Sequence, residues 1–153
     1  MPSHRESRRL PYPAEWLFEL VADVESYPQF LPFWRETKVR QRSVHRYLTD
    51  QRIGIGPLQG LLRTETLLQR PERIDITASH GPFRDFSIGW QFIALPDTGC
   101  RIDFAISCEA ASPLLHGFVT AAFAETARVM VHAFEHRARS LYRPGHPYHR
   151  APR

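Results

Sequence analysis

The sequence predicts an α+β protein in which one antiparallel sheet curls along a single long C-terminal helix. Three observations predict it. From Pro113 to Tyr142 apolar side chains recur at helical spacing: Leu115, Val119, Ala122, Phe123, Met130, Phe134 and Leu141 share half the wheel, opposite Glu125, Arg128, His132, Glu135 and Arg139. Before that helix, alternating apolar and polar residues between short turn-like breaks describe hairpin-linked strands. The terminal helix, about 43 Å long at 1.5 Å per residue, is also the only predicted element long enough to cover the apolar face of such a sheet.

The chain order follows from local signals. His4 to Leu10 reads as a short first strand with poor alternation. Pro13 opens a helix from Ala14 to Val24 with Trp16, Leu17, Leu20, Val21 and Val24 on one face. The dense aromatic stretch Tyr27 to Trp34 is broken by Pro28 and Pro32, which predicts a second short helix or a tight corner. Strands are predicted over Thr37–Ser43, Arg46–Ile55, Leu61–Gln69, Arg73–Ser79, Asp85–Leu95 and Arg101–Glu109, with breaks at Gly54-Ile-Gly56-Pro57, Pro71, His80-Gly-Pro82 and Pro96-Asp-Thr-Gly99. That makes about six to seven strands in all. Ser112 followed by Pro113 is a helix start, and Pro144-Gly145 is a stop.

The 153 residues suit one domain, spanning 1–143, with a Pro- and His-rich tail from 144 to 153 expected to be disordered. The formal net charge of +4 comes from arginines scattered along the chain, which suits an anionic partner such as membrane headgroups or RNA without requiring one. No apolar run approaches the roughly 20 residues of a membrane span, and residues 1–9 lack the apolar core of a signal peptide. The expectation is a cytoplasmic protein, peripheral at most on the inner face of the cytoplasmic membrane. Cys100 and Cys108, eight apart in one strand, cannot pair with each other.

Several pieces of wording occur together and in order along nearly the whole chain: Val24-Glu-Ser-Tyr-Pro-Gln-Phe-Leu-Pro-Phe33, Gly54-Ile-Gly-Pro-Leu58, Arg70-Pro-Glu-Arg-Ile74, Gly81-Pro-Phe-Arg84, Trp90-Gln-Phe92 and Met130-Val-His-Ala-Phe-Glu-His-Arg-Ala138. With them the chain resembles the helix-grip (START-like, Bet v-like, polyketide cyclase-like) superfamily, and within it the coenzyme Q-binding family that includes the bacterial ribosome association toxin RatA. Two departures stand out: Phe33-Trp34 where the family has Trp-Cys, and Ser107-Cys-Glu-Ala110 where its last strand ends Phe-Glu-Phe.

Motifs for catalysis are sparse. His132-Ala-Phe-Glu-His136 matches an inverted zinc-protease pattern, but its histidines lie at the border of the polar face and too little chain follows to supply a third ligand. They read as solvated surface residues, and no metal or required cofactor is expected. Asp23 and Glu25 read as solvent-facing, and Cys108 as a small inward hydrophobe. Periodicity places no carboxylate pair and no Ser/His/Asp set on the inward face.

The inward face is apolar instead, and the resemblance implies a ligand in a hollow between sheet and helix: an isoprenoid quinone or other lipid. The candidate lining is Phe30, Trp34, Thr64, Ile76, Phe86, Ile88, Trp90, Phe92 and Phe104, facing Phe118, Ala122, Phe123, Met130 and Phe134, with Ala122, Ala133 and Gly89 leaving room. Each buried CH₂ of a tail contributes about 0.8 kcal/mol, so a tail needs no polar contact; Thr64, Thr66, Gln91 or Trp90 Nε1 are candidate donors to a quinone head. Phe30, Leu31, Phe33 and Trp34, beside Arg35 and Lys38, have the composition of a membrane contact, or form a wall of the core. Arg137 falls within the apolar stripe, and either snorkels past the sheet edge or pairs with a buried carboxylate. The expectation is therefore a non-enzymatic quinone carrier in transient contact with a membrane surface. The alternatives are a RatA-like inhibitor of ribosomal subunit joining, using Arg40, Arg42, Arg46, Arg63, Arg70, Arg73 and Arg84 against rRNA phosphate, and a cyclase or hydratase using the same cavity.

Overall fold

The structure is a computed structural model, which describes residues 2–56 and 58–150. Pro57, part of one predicted strand break, and the last three residues of the tail lie outside the described residues. In chain order come β1 (Ser3–Leu10), α1 (Ala14–Ala22), a 3-10 helix (Val24–Gln29), β2 (Trp34–Arg42), β3 (Arg46–Ile55), β4 (Leu58–Gln69), β5 (Arg73–His80), β6 (Phe83–Ala94), β7 (Cys100–Ala110) and α2 (Pro113–Leu141). The seven strands form one sheet in the order β1-β7-β6-β5-β4-β3-β2, every neighbouring pair antiparallel. β1 crosses the sheet to pair with β7, and the remaining strands form a meander.

Inward and outward positions alternate from Phe86 to Phe92 in β6 and throughout β7. Phe86, Ile88, Trp90, Phe92, Ile102, Phe104, Ile106 and Cys108 are all buried, while their neighbours meet solvent to varying degrees. Gly89 belongs to the outer set. A Cβ there would meet Asp75 Oδ1 at 3.5 Å and Arg73 Nη2 at 3.7 Å, so it makes room for an ion pair on the outer face and none for a ligand inside.

The 29-residue α2 begins where expected: Ser112 Oγ accepts from the amides of Leu114 and Leu115, and Pro113 occupies the first turn. From Pro113 to Ala124 it holds no charged residue apart from a titratable histidine at 116, and its composition reaches that of a membrane span, which the sequence reading did not recognise. In the fold this helix lies against β7, β1 and α1.

α1 ends at Ala22, two residues earlier than its periodicity suggests. Its last carbonyls have no partner within the helix, and two buried tyrosines take their place: Tyr27 OH donates to Val21 O, and Tyr47 OH to Ala22 O at 2.8 Å. Burial pushes both phenols upward. The chain then turns through the 3-10 helix into β2, and here the aromatic stretch resolves as a wall of the core. Leu31 is 1% exposed and Trp34 8%, while Phe30 and Phe33 pack against the core half-buried, so two of the four residues proposed as a membrane contact are turned fully inward.

The tail also differs from expectation. Through residue 150 it has no regular structure but is docked: Tyr148 packs edge-on against Trp16 at 5.7 Å and donates to Asp23 Oδ2 at 2.6 Å. The Arg150 guanidinium donates to both Asp23 oxygens and reaches Glu25. Asp23, read from sequence as solvent-facing, is thereby covered, with 7% of its side chain exposed. Burial alone would raise its carboxyl, but donors on Arg150, Tyr148 and Ser26 hold it below the usual value.

Candidate functional site

The sheet and α2 do not meet evenly. Toward the C-terminal end of α2 an aromatic cluster fills the interior: Trp90 lies 4.7 Å from Phe104 and 5.0 Å from Phe134, and Phe134 lies 5.1 Å from Phe30 and 5.4 Å from Tyr27 between ring centroids. Arg137 covers this end. Its guanidinium sits 5.0 Å over the Phe30 ring and donates to Gln29 Oε1 at 2.7 Å, so it snorkels and pairs with no carboxylate among the described residues.

Toward the N-terminal end of α2 the two layers part around an apolar hollow of about 60 Å³. Phe118, Val119, Ala122, Phe123, Thr126, Ala127 and Met130 form its helical wall, and Ile55, Leu58, Phe83, Ile106 and Cys108 its sheet wall. Among the described residues, no carboxylate, histidine, lysine or arginine lines it. Burial pushes the Cys108 thiol up to about 11, which keeps it protonated and unreactive at neutral pH. The hollow is narrower than the roughly 300–1,000 Å³ of sites that enclose a whole ligand. The first turns of α2 form one side of it. Those turns are held lightly: Leu114 is 89% exposed, and Val119 is the only buried residue before Ala127. The β3–β4 turn closes over Phe118 through Gly56, whose φ of +54° disfavours a side chain and where an added Cβ would lie 3.2 Å from the Phe118 ring.

Of the expected lining, Phe118, Ala122, Phe123 and Met130 border the hollow. Ile76, Phe86 and Ile88 are buried in the sheet's inner face without reaching it. Trp90, Phe92, Phe104, Phe134 and Phe30 belong to the aromatic fill. Trp34 and Thr64 join a buried polar cluster instead: Trp34 Nε1 donates to Gln51 Oε1, Gln51 Nε2 lies 3.0 Å from Thr49 Oγ1 and 2.9 Å from Thr64 Oγ1, and the two hydroxyls bond to each other. Of the other candidate donors, Gln91 is exposed on the outer face and Thr66 is buried beside the Tyr47 phenol.

Ile55, Leu58 and Phe83 had no place in the expected lining because the predicted strands stop short of them or end on them. β4 and β6 in fact begin three and two residues earlier than expected, at Leu58 and Phe83. Pro82, part of a predicted break, sits in the β5–β6 turn close to β4, where a Cβ on Gly60 would lie 3.4 Å from Pro82 Cδ. An apolar residue just outside each Gly/Pro break was the available signal.

A seven-stranded antiparallel sheet gripping a long C-terminal helix, with an uncharged hollow between them, defines a helix-grip protein. Residues 10–135 match the family model described as polyketide cyclase / dehydrase and lipid transport, and the chain belongs to that family. It is 34% identical over 143 residues to the ribosome association toxin RatA of Pseudomonas aeruginosa, covering 93% of this chain and 99% of that one. It is 27% identical over 144 residues to the mitochondrial coenzyme Q-binding protein COQ10 homolog B of Xenopus laevis, covering 91% of this chain and 59% of that protein. Among solved structures, an 18 kDa protein of Caulobacter crescentus is similar at 29% identity and a TM-score of 0.74, over 92% of this chain and 98% of that one. The Zhui aromatase/cyclase from Streptomyces sp. R1128 shares the fold at 12% identity and a TM-score of 0.80, over 96% and 99% of the two chains.

Proposed function

We propose that this protein is a non-enzymatic carrier for an apolar small molecule of the isoprenoid quinone class, taken up between α2 and the sheet. The observation that carries the reading is the hollow itself: apolar walls, no acid–base pair, and one side formed by the least buried part of the longest helix. A cyclase or hydratase would need a proton donor and acceptor against its substrate, and the described lining offers only the Thr126 hydroxyl and the Cys108 thiol. A tail seated along these walls is held by area rather than by particular contacts. The COQ10 relative, whose name states coenzyme Q binding, supports the choice of quinone.

A second reading is ribosome association, which the RatA relative supports by its name and by the coverage of its full length. The charge pattern weighs against it. Arg42, Arg46, Arg70, Arg73 and Arg84 each face a carboxylate (Glu25, Glu65, Glu19, Asp75 and Glu109), and Arg40 and Arg63 share Asp50 at 3.7 and 3.6 Å. Arginines neutralised in place have less to gain from phosphate.

Mass spectrometry of the organic extract, from protein purified without detergent out of a quinone-making host, tests the first reading. Near-stoichiometric quinone, lost in Phe118→Asp, is expected. Protein free of quinone that takes none up from liposomes, yet co-sediments with ribosomes in a salt-sensitive way, would replace it with the second.

A further inference from the structure

We infer that the buried Trp34–Gln51–Thr49–Thr64 cluster is a hydrogen-bond donor site for a carbonyl oxygen on an apolar ligand; this deepens the carrier reading and rests on it. The argument is a count of hydrogens. An indole Nε1 only donates, so the Gln51 oxygen must face Trp34, and this fixes the amide's orientation. The Gln51 NH₂ then points both hydrogens outward, one to each threonine oxygen, at 3.0 and 2.9 Å. Two hydroxyl hydrogens remain, and the single contact between Thr49 and Thr64 uses one. The other has no acceptor among the described residues.

The surplus donor is buried, with Thr49 1% and Thr64 4% exposed, and a buried donor left without a partner is unfavourable by about 1–3 kcal/mol. Two neighbouring buried threonines and a glutamine, on an inner face of the sheet that is otherwise apolar apart from Thr66, therefore call for one more acceptor. The site is continuous with the hollow's side of the sheet. Thr49, Thr64, Ala78, Phe86 and Cys108 form one cross-strand row from β3 to β7 on the inner face, and Cys108 is part of the hollow's wall. Ala78, beside Thr64, is the smallest residue of that row. A ligand with a carbonyl at Thr49/Thr64 and an apolar body running over Ala78 and Phe86 would reach the hollow with its tail. Quinones, ketones and esters share this acceptor; a hydrocarbon does not.

The test compares decyl-1,4-benzoquinone with decylbenzene by equilibrium dialysis, and records the infrared carbonyl band of the bound quinone. The quinone should bind about tenfold tighter, the worth of one net hydrogen bond, although it is the more water-soluble of the two, and its carbonyl band should fall in frequency. The all-apolar replacement Trp34→Phe/Thr49→Val/Gln51→Leu/Thr64→Val should bind both probes alike, without the band shift. Equal affinities with an unshifted band in the wild-type protein would overturn the donor site and leave the carrier reading standing. Failure of both probes to bind would overturn the carrier reading and this inference with it. The infrared comparison needs only wild-type protein, so it decides the matter even if the fourfold variant does not fold.

Discussion

The two halves of α2 are made by one continuous helix and held in opposite ways. From Ala127 onward, five residues are buried (Ala127, Met130, Val131, Phe134 and Ala138), and Phe134 touches three aromatic rings. Before Ala127 only Val119 is buried, although this half has the more apolar composition. Composition therefore does not decide burial along this helix; what lies opposite does. α1, β1 and the aromatic fill close on the second half, while the first half lies over the hollow. An element anchored at one end and lightly packed at the other can part from the sheet without unfolding the domain, as local opening requires.

The largest effect that would break this comparison is expected at Phe134. Phe134→Ala should destabilise by about 3–5 kcal/mol, as for other buried Phe truncations, whereas Phe118→Ala should lose about 1 kcal/mol for its half-buried ring. Urea unfolding of both variants checks it, and equal losses would mean the halves are packed alike. Native-state hydrogen exchange sharpens the contrast, since amides of residues 117–126 should exchange at least about 100-fold faster than those of 130–138 if the first half opens locally.

Small residues give the next test. Ala138, at 0% exposure, has no room to grow, so Ala138→Leu should destabilise by about 1–3 kcal/mol. Ala121→Leu on the exposed side of the first half should stay within about 0.5 kcal/mol.

The smallest effect concerns the tail, which belongs to the anchored end. Asp23→Asn should loosen it by about 1–2 kcal/mol, the scale of a charge-assisted hydrogen bond. The pH dependence has two edges. The Asp23 carboxyl is held below its usual value, so its contribution is present above about pH 4 and lost as pH falls through its folded pKa. The Tyr148 phenol is pushed up, by burial first and then by Asp23, so its neutral form holds below about pH 10 and the contact weakens as pH rises through its folded pKa. Trp16 fluorescence, which the docked Tyr148 ring should perturb, ought to stay flat between those edges and change beyond each. A flat response across the whole range would mean the tail is not held by Asp23.

Much of this was legible because periodicity survives folding. The antiparallel succession of hairpin-linked strands, the Ser112-Pro113 helix start, the inward rows of β6 and β7 and the half of α2 that faces the sheet all follow from spacing and local chemistry. The hollow was only partly legible. Phe118, Ala122, Phe123 and Met130 were named from the wheel, but wheel position could not separate them from Phe134, which has the same periodic credentials and lies in the filled end. Asp23 and Tyr148 are 125 residues apart and carry no shared local signal.

By itself the sequence determined the class of fold, the antiparallel layering and the apolar inner rows of β6 and β7, because these depend on patterns of two and 3.6 residues that each segment carries alone. Only the tertiary structure decided which part of the apolar face is filled and which is hollow, that Gly89 faces outward and that Leu31 and Trp34 of the aromatic stretch face inward. It alone also brought Trp34, Gln51, Thr49 and Thr64 into one buried cluster. Each of these depends on what another segment places opposite, and strand register and helix docking set that over distances no local pattern encodes.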